Sequence, residues 1–308
     1  MRILVTGGAG FIGSNLCEYL RAKGIEVVVV DDLSSGKKSN LSTIIDDITF
    51  FHEKIESFDF SKCDGVDAIV HLAAQPSVPF SITNFKESST TNMLGTIQVV
   101  DYCSVYKIPL IYASSSAIYG GLELGNDTSS RIDLLSPYAT DKYAMELYSK
   151  TAHTLYKLSS VGLRFFNVYG PRQDASSPYS GVISIFTDRI LNRKPITIYG
   201  GHQTRDFIFI DDIVESIHQS LMLSFETSIC EQVNVLTGVS VSIDSLADRL
   251  MNLVNIKVEK EYEKLPSGDP EQSNGTVSKM VDVLGVDTSS LVKLDVGLEK
   301  TVEFIRLE

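Results

Sequence analysis

Met1-Arg2-Ile3-Leu4-Val5-Thr6-Gly7-Gly8-Ala9-Gly10-Phe11-Ile12-Gly13 opens the chain and decides its fold. Ile3, Leu4 and Val5 read as a buried β-strand, the glycines as a tight turn, and Phe11 as the start of a helix. Gly7 permits the turn, Gly10 brings backbone N–H groups close to a pyrophosphate at the helix N-terminus, and Gly13 lets helix and strand pack together. A plain βα turn would use the same glycines, so the reading depends on context. About twenty residues on, a second apolar run, Val27 to Val30, ends in Asp31-Asp32. That is where a ribose-binding carboxylate belongs in a dinucleotide fold. Such a carboxylate accepts both ribose hydroxyls and repels a 2′-phosphate, which favours NAD over NADP; a helix cap or a solvated loop charge is the plainer role for Asp31.

The 308 residues, 43% of them hydrophobic, allow one large or two moderate domains with a sizeable core. A formal charge of −12 and a pI near 4.9 argue against nucleic acid or an anionic membrane as partner, because the far field repels both. The four cysteines form no CxxC pair and the five histidines have no ligand spacing, so neither a disulfide framework nor a metal site is indicated. The chain enters a strand at once, without a signal peptide or an apolar span, and a cytoplasmic setting is expected.

Further along, apolar spacing predicts a helix from Phe11 to Lys23 that stops at Gly24, and strands at 48–51, 68–72 and 108–113. Small residues follow the fourth strand at Ala73-Ala74, where a backbone can pass beside a flat cofactor. A helix is expected at about 91–106. The fifth strand ends in Ser114-Ser115-Ser116, hydroxyls at the carboxyl end of a strand, where open α/β sheets hold ligands. Ser136 then caps a helix with Pro137 at its first position and runs to about 158. Tyr138 and Lys142 lie four apart on one face of it, where an ammonium can lower a phenol's pKa and make the pair an acid/base; a surface coincidence gives the same spacing. Beyond a strand at 161–166 come a Ser/Pro-rich stretch from 174 to 181 and helices at 182–191 and 243–254. Strands are expected at 196–199, 233–235 and near 258, with a strand leading into a helix at 205–213 and a closing helix at 298–306.

Taken together, seven segments resemble the extended short-chain dehydrogenases/reductases that act on nucleotide sugars. They are Thr6 to Gly13, Asp31, His71-Leu72-Ala73-Ala74, Asn92 to Thr96, the serine run, Tyr138-x-x-x-Lys142, and Arg164 to Arg172. The resemblance implies a Rossmann doubly wound parallel sheet with a smaller, interleaved α/β substrate lobe. It implies NAD held by Gly7, Gly10, Phe11, Ile12, Gly13, Asp31, Asp32, Ile55, Leu72, Ala73 and Ala74, with Tyr138 and Lys142 at the nicotinamide end. Tyr138 is the implied base, Lys142 lowers its pKa, and Ser115 bonds the reacting sugar oxygen, with Ser116 a second hydroxyl beside it.

Within that family the 4,6-dehydratases carry an Asp-Glu pair after the catalytic hydroxyl, to remove a leaving hydroxyl. Ser116 and Ala117 stand there instead, so the chain most resembles UDP-hexose 4-epimerases, above all those acting on UDP-N-acetylglucosamine. Ser77 and Val78 match epimerases that accept N-acetylated sugars, Asn167 and Arg205 would contact the diphosphate, and Val182 and Tyr199 would border the uracil. In the loop from Gly268 to Ser273, the small Ser273 stands where a tyrosine would exclude an N-acetyl group. If the loop is shifted, Ser273 is a turn residue and no more. Departures are Lys54 for an aspartate that reads adenine, Pro266 for a diphosphate-gripping arginine, and Phe80 for a frequent arginine.

The expected architecture is a parallel sheet of about seven strands with helices on both faces. An NAD-binding domain spans 1–166, a substrate lobe spans 167–308, and 205–235 partly returns to the first. The resemblance also implies a homodimer formed by the helices at 91–106 and 137–157 in a four-helix bundle. Rival readings are an NAD(P)-dependent reductase or dehydratase and a catalytically idle nucleotide-binding relative.

Overall fold

A computed structural model describes residues 1–176, 180–265 and 269–307. β1 (Arg2–Thr6) leads into α1 (Phe11–Ala22), followed by β2 (Glu26–Asp31), β3 (Thr49–His52) and β4 (Ala68–His71). α2 (Val78–Thr83) and α3 (Phe85–Tyr106) precede β5 (Leu110–Ser115), and α4 (Pro137–Tyr156) precedes β6 (Ser160–Phe165). Then come β7 (Asn167–Tyr169), α5 (Val182–Leu191), β8 (Ile196–Tyr199), β9 (Thr204–Phe209), α6 (Ile210–Glu226) and β10 (Cys230–Val235). β11 (Ser240–Ser242), α7 (Ile243–Val254), β12 (Lys260–Glu263), β13 (Gln272–Ser273), α8 (Ser278–Asp282) and α9 (Leu294–Leu307) complete the chain.

Seven strands form one parallel sheet in the order β3-β2-β1-β4-β5-β6-β10. The first six follow the doubly wound dinucleotide-binding order, with the switch between β1 and β4. Period-two alternation sends neighbouring residues to opposite faces. Ile3, Val5, Val27 and Val29 join the core that holds Leu16 and Leu20 of α1 and Ile213 and Ile217 of α6. Leu4, Val28 and Val30 join the one that holds Val99 and Cys103 of α3 and Met145 of α4. β1 and β2 therefore read as nearly continuous apolar runs, because both of their faces are covered.

The smaller lobe is built on β9, whose first half is flanked by β11 and β13 and whose second half pairs with β7, with β8 and β12 as a separate parallel pair. The stretch expected to return to the large sheet divides here. Residues 205–209 belong to β9 and the small sheet, whereas α6 packs on the large one and β10 joins it as the seventh strand. No helix among the described residues is long and apolar enough to cross a membrane.

Candidate functional site

The glycine turn is packed too tightly for side chains. Gly7 has φ of +69°, and a Cβ on it would lie 2.7 Å from Ala73 N, while a Cβ on Gly13 would run into the Gly7 carbonyl oxygen. Gly10 caps α1 in an extended conformation with no side-chain cap bond, and the first turn carries no acidic residue. Such a helix end leaves backbone donors facing outward beside the positive end of the dipole, which suits a pyrophosphate.

Asp31 ends β2, buried. Its Oδ2 accepts from Ala9 N at 2.9 Å and its Oδ1 from Leu33 N at 2.8 Å, so it braces the turn, and each oxygen keeps a second lone pair for a ribose hydroxyl. Burial raises its pKa, and the two backbone donors oppose that. Asp32 accepts from Ser34 N and holds its own loop. Leu72, Ala73 and Ala74 leave β4 against this turn, with Leu72 N bonded to Thr6 O and Ala73 N to Thr6 Oγ1. Ile55 is buried against Gly95 of α3, while Lys54 is exposed, 4.0 Å from Glu56. The glycine cradle, the open helix end and Asp31 fit NAD.

At the carboxyl edge, Ser136 caps α4 by accepting from Ala139 N at 3.1 Å, and Pro137 occupies the first turn, as the sequence indicates. Ser81 Oγ of α2 accepts from Tyr138 N at 3.2 Å, fixing the start of α4 from the side. Tyr138 is half-buried, and the hydroxyl of Ser115, the residue that ends β5, is near enough to its phenol to pull the phenol's pKa down. Ser115 Oγ also accepts from Ala117 N, turning the chain into Ser116. Lys142 is buried and donates to Ala113 O at 2.7 Å, with its ammonium 5.7 Å from the centre of the Tyr138 ring. Burial lowers the Lys142 pKa to about 8, opposed by Asp141.

Burial pushes the Tyr138 phenol up, the Ser115 hydroxyl opposes that, and the charge of Asp141 adds to it. The Lys142 ammonium gives one of its three protons to Ala113 O and lies toward the ring rather than at the phenol oxygen.

Toward the smaller lobe, Ser77 is buried and caps α2, accepting from Phe80 N at 3.1 Å, and Val78 opens that helix. Asn167 Nδ2 donates to Asp206 O at 2.8 Å. Arg205 Nη2 donates to Asp269 Oδ1 at 2.7 Å, so its guanidinium is already shared with a carboxylate. Val182 opens α5 and Tyr199 ends β8, half exposed. Ser273 lies in β13, directly opposite Arg205 of β9. Pro266 and Gly268 lie outside the described residues.

Sequence reasoning missed a buried polar chain beneath the serine turn. Glu146 accepts from Ser114 Oγ at 2.6 Å and from Arg164; Arg164 Nη1 donates to Tyr119 OH at 2.7 Å; Tyr119 OH donates to Asn234 Oδ1 at 2.6 Å. Asn234 Nδ2 then reaches Gly125 O and Thr276 O, tying α4 to the loop that follows Ser273. The signal available was Glu146 four residues beyond Lys142, a carboxylate on the buried stripe of a helix. His71, also buried, bonds Thr6 Oγ1 through Nδ1 at 2.7 Å and Thr96 Oγ1 through Nε2 at 3.4 Å.

The chain can now be set beside known proteins. The family model described as "NAD dependent epimerase/dehydratase family" matches residues 3–235. A UDP-glucose 4-epimerase of Mycolicibacterium smegmatis is 34% identical over 323 residues, covering 99% of each protein. The crystal structure of a UDP-glucose 4-epimerase of Thermotoga maritima with UDP-glucose superposes with a TM-score of 0.92 at 34% identity over 100% of both chains. A UDP-N-acetylglucosamine 4-epimerase of Methanobrevibacter ruminantium, in complex with UDP-N-acetylmuramic acid, gives 0.92 at 34% identity, covering 99% of this chain and 98% of that one. With its glycine cradle, its Tyr138–Lys142 helix and the match over residues 3–235, the chain belongs to the NAD dependent epimerase/dehydratase family, among the extended short-chain dehydrogenases/reductases.

Proposed function

We propose that this protein catalyses reversible C4 epimerisation of a UDP-sugar, with UDP-N-acetylglucosamine and UDP-N-acetylgalactosamine as the preferred pair and UDP-glucose and UDP-galactose as a weaker activity. The observation that carries the chemistry is the meeting of Tyr138 and Lys142 on one face of α4, the buried ammonium 5.7 Å from the ring centre and anchored on β5 through Ala113 O, in the strand that ends in Ser115. NAD, when bound, supplies the acceptor and later the donor of the C4 hydride. Tyr138 takes the proton from the C4 hydroxyl and returns it to the oxygen of the 4-keto sugar, and the Ser115 hydroxyl bonds that oxygen and orients it. Lys142 Nζ, anchored on Ala113 O, presents its remaining protons to the nicotinamide ribose. Ser116 and Ala117 offer no acid to expel a hydroxyl, so the 4-keto sugar is reduced again rather than dehydrated.

The small sheet of 167–308, apart from α6 and β10, which belong with the large sheet, forms the substrate lobe in this reading. Asn167 and Arg205 hold the diphosphate, Arg205 leaving Asp269 to do so, and Val182 and Tyr199 border the uracil, with Ser77 and Val78 on the sugar side. Ser273 supports the N-acetyl preference, because a small side chain facing the C2 substituent rejects nothing, whereas an aromatic ring there excludes the larger group. A homodimer is part of the same reading. α3 leaves Leu94, Ile97, Val105 and Tyr106 exposed and α4 leaves Leu147, Tyr148, Leu155 and Tyr156 exposed, an apolar surface on two neighbouring helices that a second copy would cover.

The test is a panel of UDP-sugars incubated with the protein and with its Ser273→Tyr variant. The wild type should interconvert both C4 pairs, the acetylated pair faster, and the variant should keep only the plain hexoses. Equal loss of both reactions, or no change in either, removes Ser273 as the determinant.

A further inference from the structure

We propose that Asp141 is a positioning residue for Tyr138 and Lys142, a buried carboxylate that fastens the first turns of α4 to α3 and whose charge bears on the proton that Tyr138 exchanges. This rests on the acid/base role proposed above for Tyr138.

Asp141 is 4% exposed and stands three residues after Tyr138 and one before Lys142. Its Oδ2 accepts from Ser89 Oγ at 3.0 Å and from Asn92 Nδ2 at 3.1 Å, both on α3. Asn92 Oδ1 in turn accepts from Gln75 N at 2.8 Å, in the loop that follows Ala73 and Ala74. One carboxylate therefore joins three elements of the site: the loop after β4, α3, and the helix of the acid/base pair.

That geometry does not require a charge. An asparagine's amide oxygen would accept the same two bonds, and a buried carboxylate costs desolvation that an amide does not. The charge acts on its neighbours. On α4 its charge is felt by the Lys142 ammonium and the Tyr138 phenol, and from α3 the groups that contact it, Ser89 and Asn92, are neutral; around the pair itself, Ser115 at the end of β5 is neutral and His71 at the end of β4 is buried and uncharged at neutral pH. A fixed negative charge opposes the phenolate and favours the ammonium: at Tyr138 it adds to burial in raising the phenol, and at Lys142 it works against burial, which prevails and lowers the ammonium's pKa. Burial raises the pKa of Asp141 itself, against Ser89, Asn92 and Lys142, which favour its ionised form.

The experiment compares wild type with Asp141→Asn and Asp141→Ser. Two readouts are taken: the pH profile of kcat/KM, and ultraviolet titration of tyrosinate, each background corrected with its own Tyr138→Phe partner. We expect the acid limb of the Asp141→Asn profile to move down by ~1 pH unit, and the Tyr138 tyrosinate to appear earlier by a like amount. Asp141→Ser should show the same displacement and decides the matter if the asparagine variant folds poorly. Superimposable titrations, or a phenol that titrates higher without the carboxylate, overturn the proposal. A wild type with no epimerase activity would overturn the functional reading instead, while the tyrosinate titration still decides the role of Asp141.

Discussion

Arg164 grips Glu146 through two parallel bonds, Nε to Oε1 at 2.9 Å and Nη2 to Oε2 at 2.7 Å, with both side chains buried. Glu146 also holds the hydroxyl of Ser114, next to Ser115, and lies one turn beyond Lys142. Glu146→Gln turns an N–H donor toward the guanidinium and leaves a buried charge without its counter-ion. We expect a loss of about 3 kcal/mol or more in stability by chemical denaturation. A loss under about 1 kcal/mol would show that the pair is not needed to hold α4 on β6.

His71 gives the fold a sensitivity to acid. Burial lowers its pKa from 6.5 to about 3, with Lys142 adding to the effect. The unfolded chain binds a proton near 6.5 that the folded chain refuses until about 3. His71 therefore contributes stability above pH 6.5 that is lost progressively as pH falls from 6.5 towards 3. Denaturation followed across that range should give a shallower acid slope for His71→Asn than for wild type. Parallel slopes would mean that other groups dominate.

Gly13→Ala places a methyl group against the Gly7 carbonyl, which is backbone and cannot swing aside. The turn must open, and the site for the pyrophosphate opens with it. Purified variant should carry far less bound nicotinamide nucleotide than wild type while keeping the far-ultraviolet dichroism of the fold. Equal nucleotide content in the two proteins would remove the turn from the cofactor site.

Tyr138→Phe should preserve fold and nucleotide content and lower turnover at least ~10²-fold, the usual scale for losing a general base. Ser115→Ala should cost less, since it removes one bond to the reacting oxygen. Near-normal turnover by the phenylalanine variant would take Tyr138 out of the role of base.

Much of the fold is legible because long apolar runs carry their own period. β1, the glycine turn, α1 and β2 are local, and each names its neighbour. α5 and α7 run where their spacing predicts, 182–191 and 243–254. α3 begins earlier than expected, at Phe85, because its first turns are polar and carry no apolar stripe. α9 begins at Leu294, through a glycine that reads as a break; a Cβ on Gly297 would strike the hydroxyl of Tyr169, so close packing keeps it in the helix. The pairings of β7 and β13 with β9 are out of reach of sequence, since strands of three and two residues have no period and their partner is distant in the chain. The same holds in the site. Spacing puts Tyr138 and Lys142 on one face, but the phenol's pKa depends on burial, which spacing does not report.

The reversible transfer at C4 is tested most directly with UDP-N-acetylglucosamine carrying deuterium at C4, incubated with purified protein and no added cofactor, and followed by NMR. The account predicts a mixture of the two C4 epimers with the deuterium retained at C4 in both. Loss of the label to solvent, or conversion only when NAD(P)H is supplied and consumed, would contradict it.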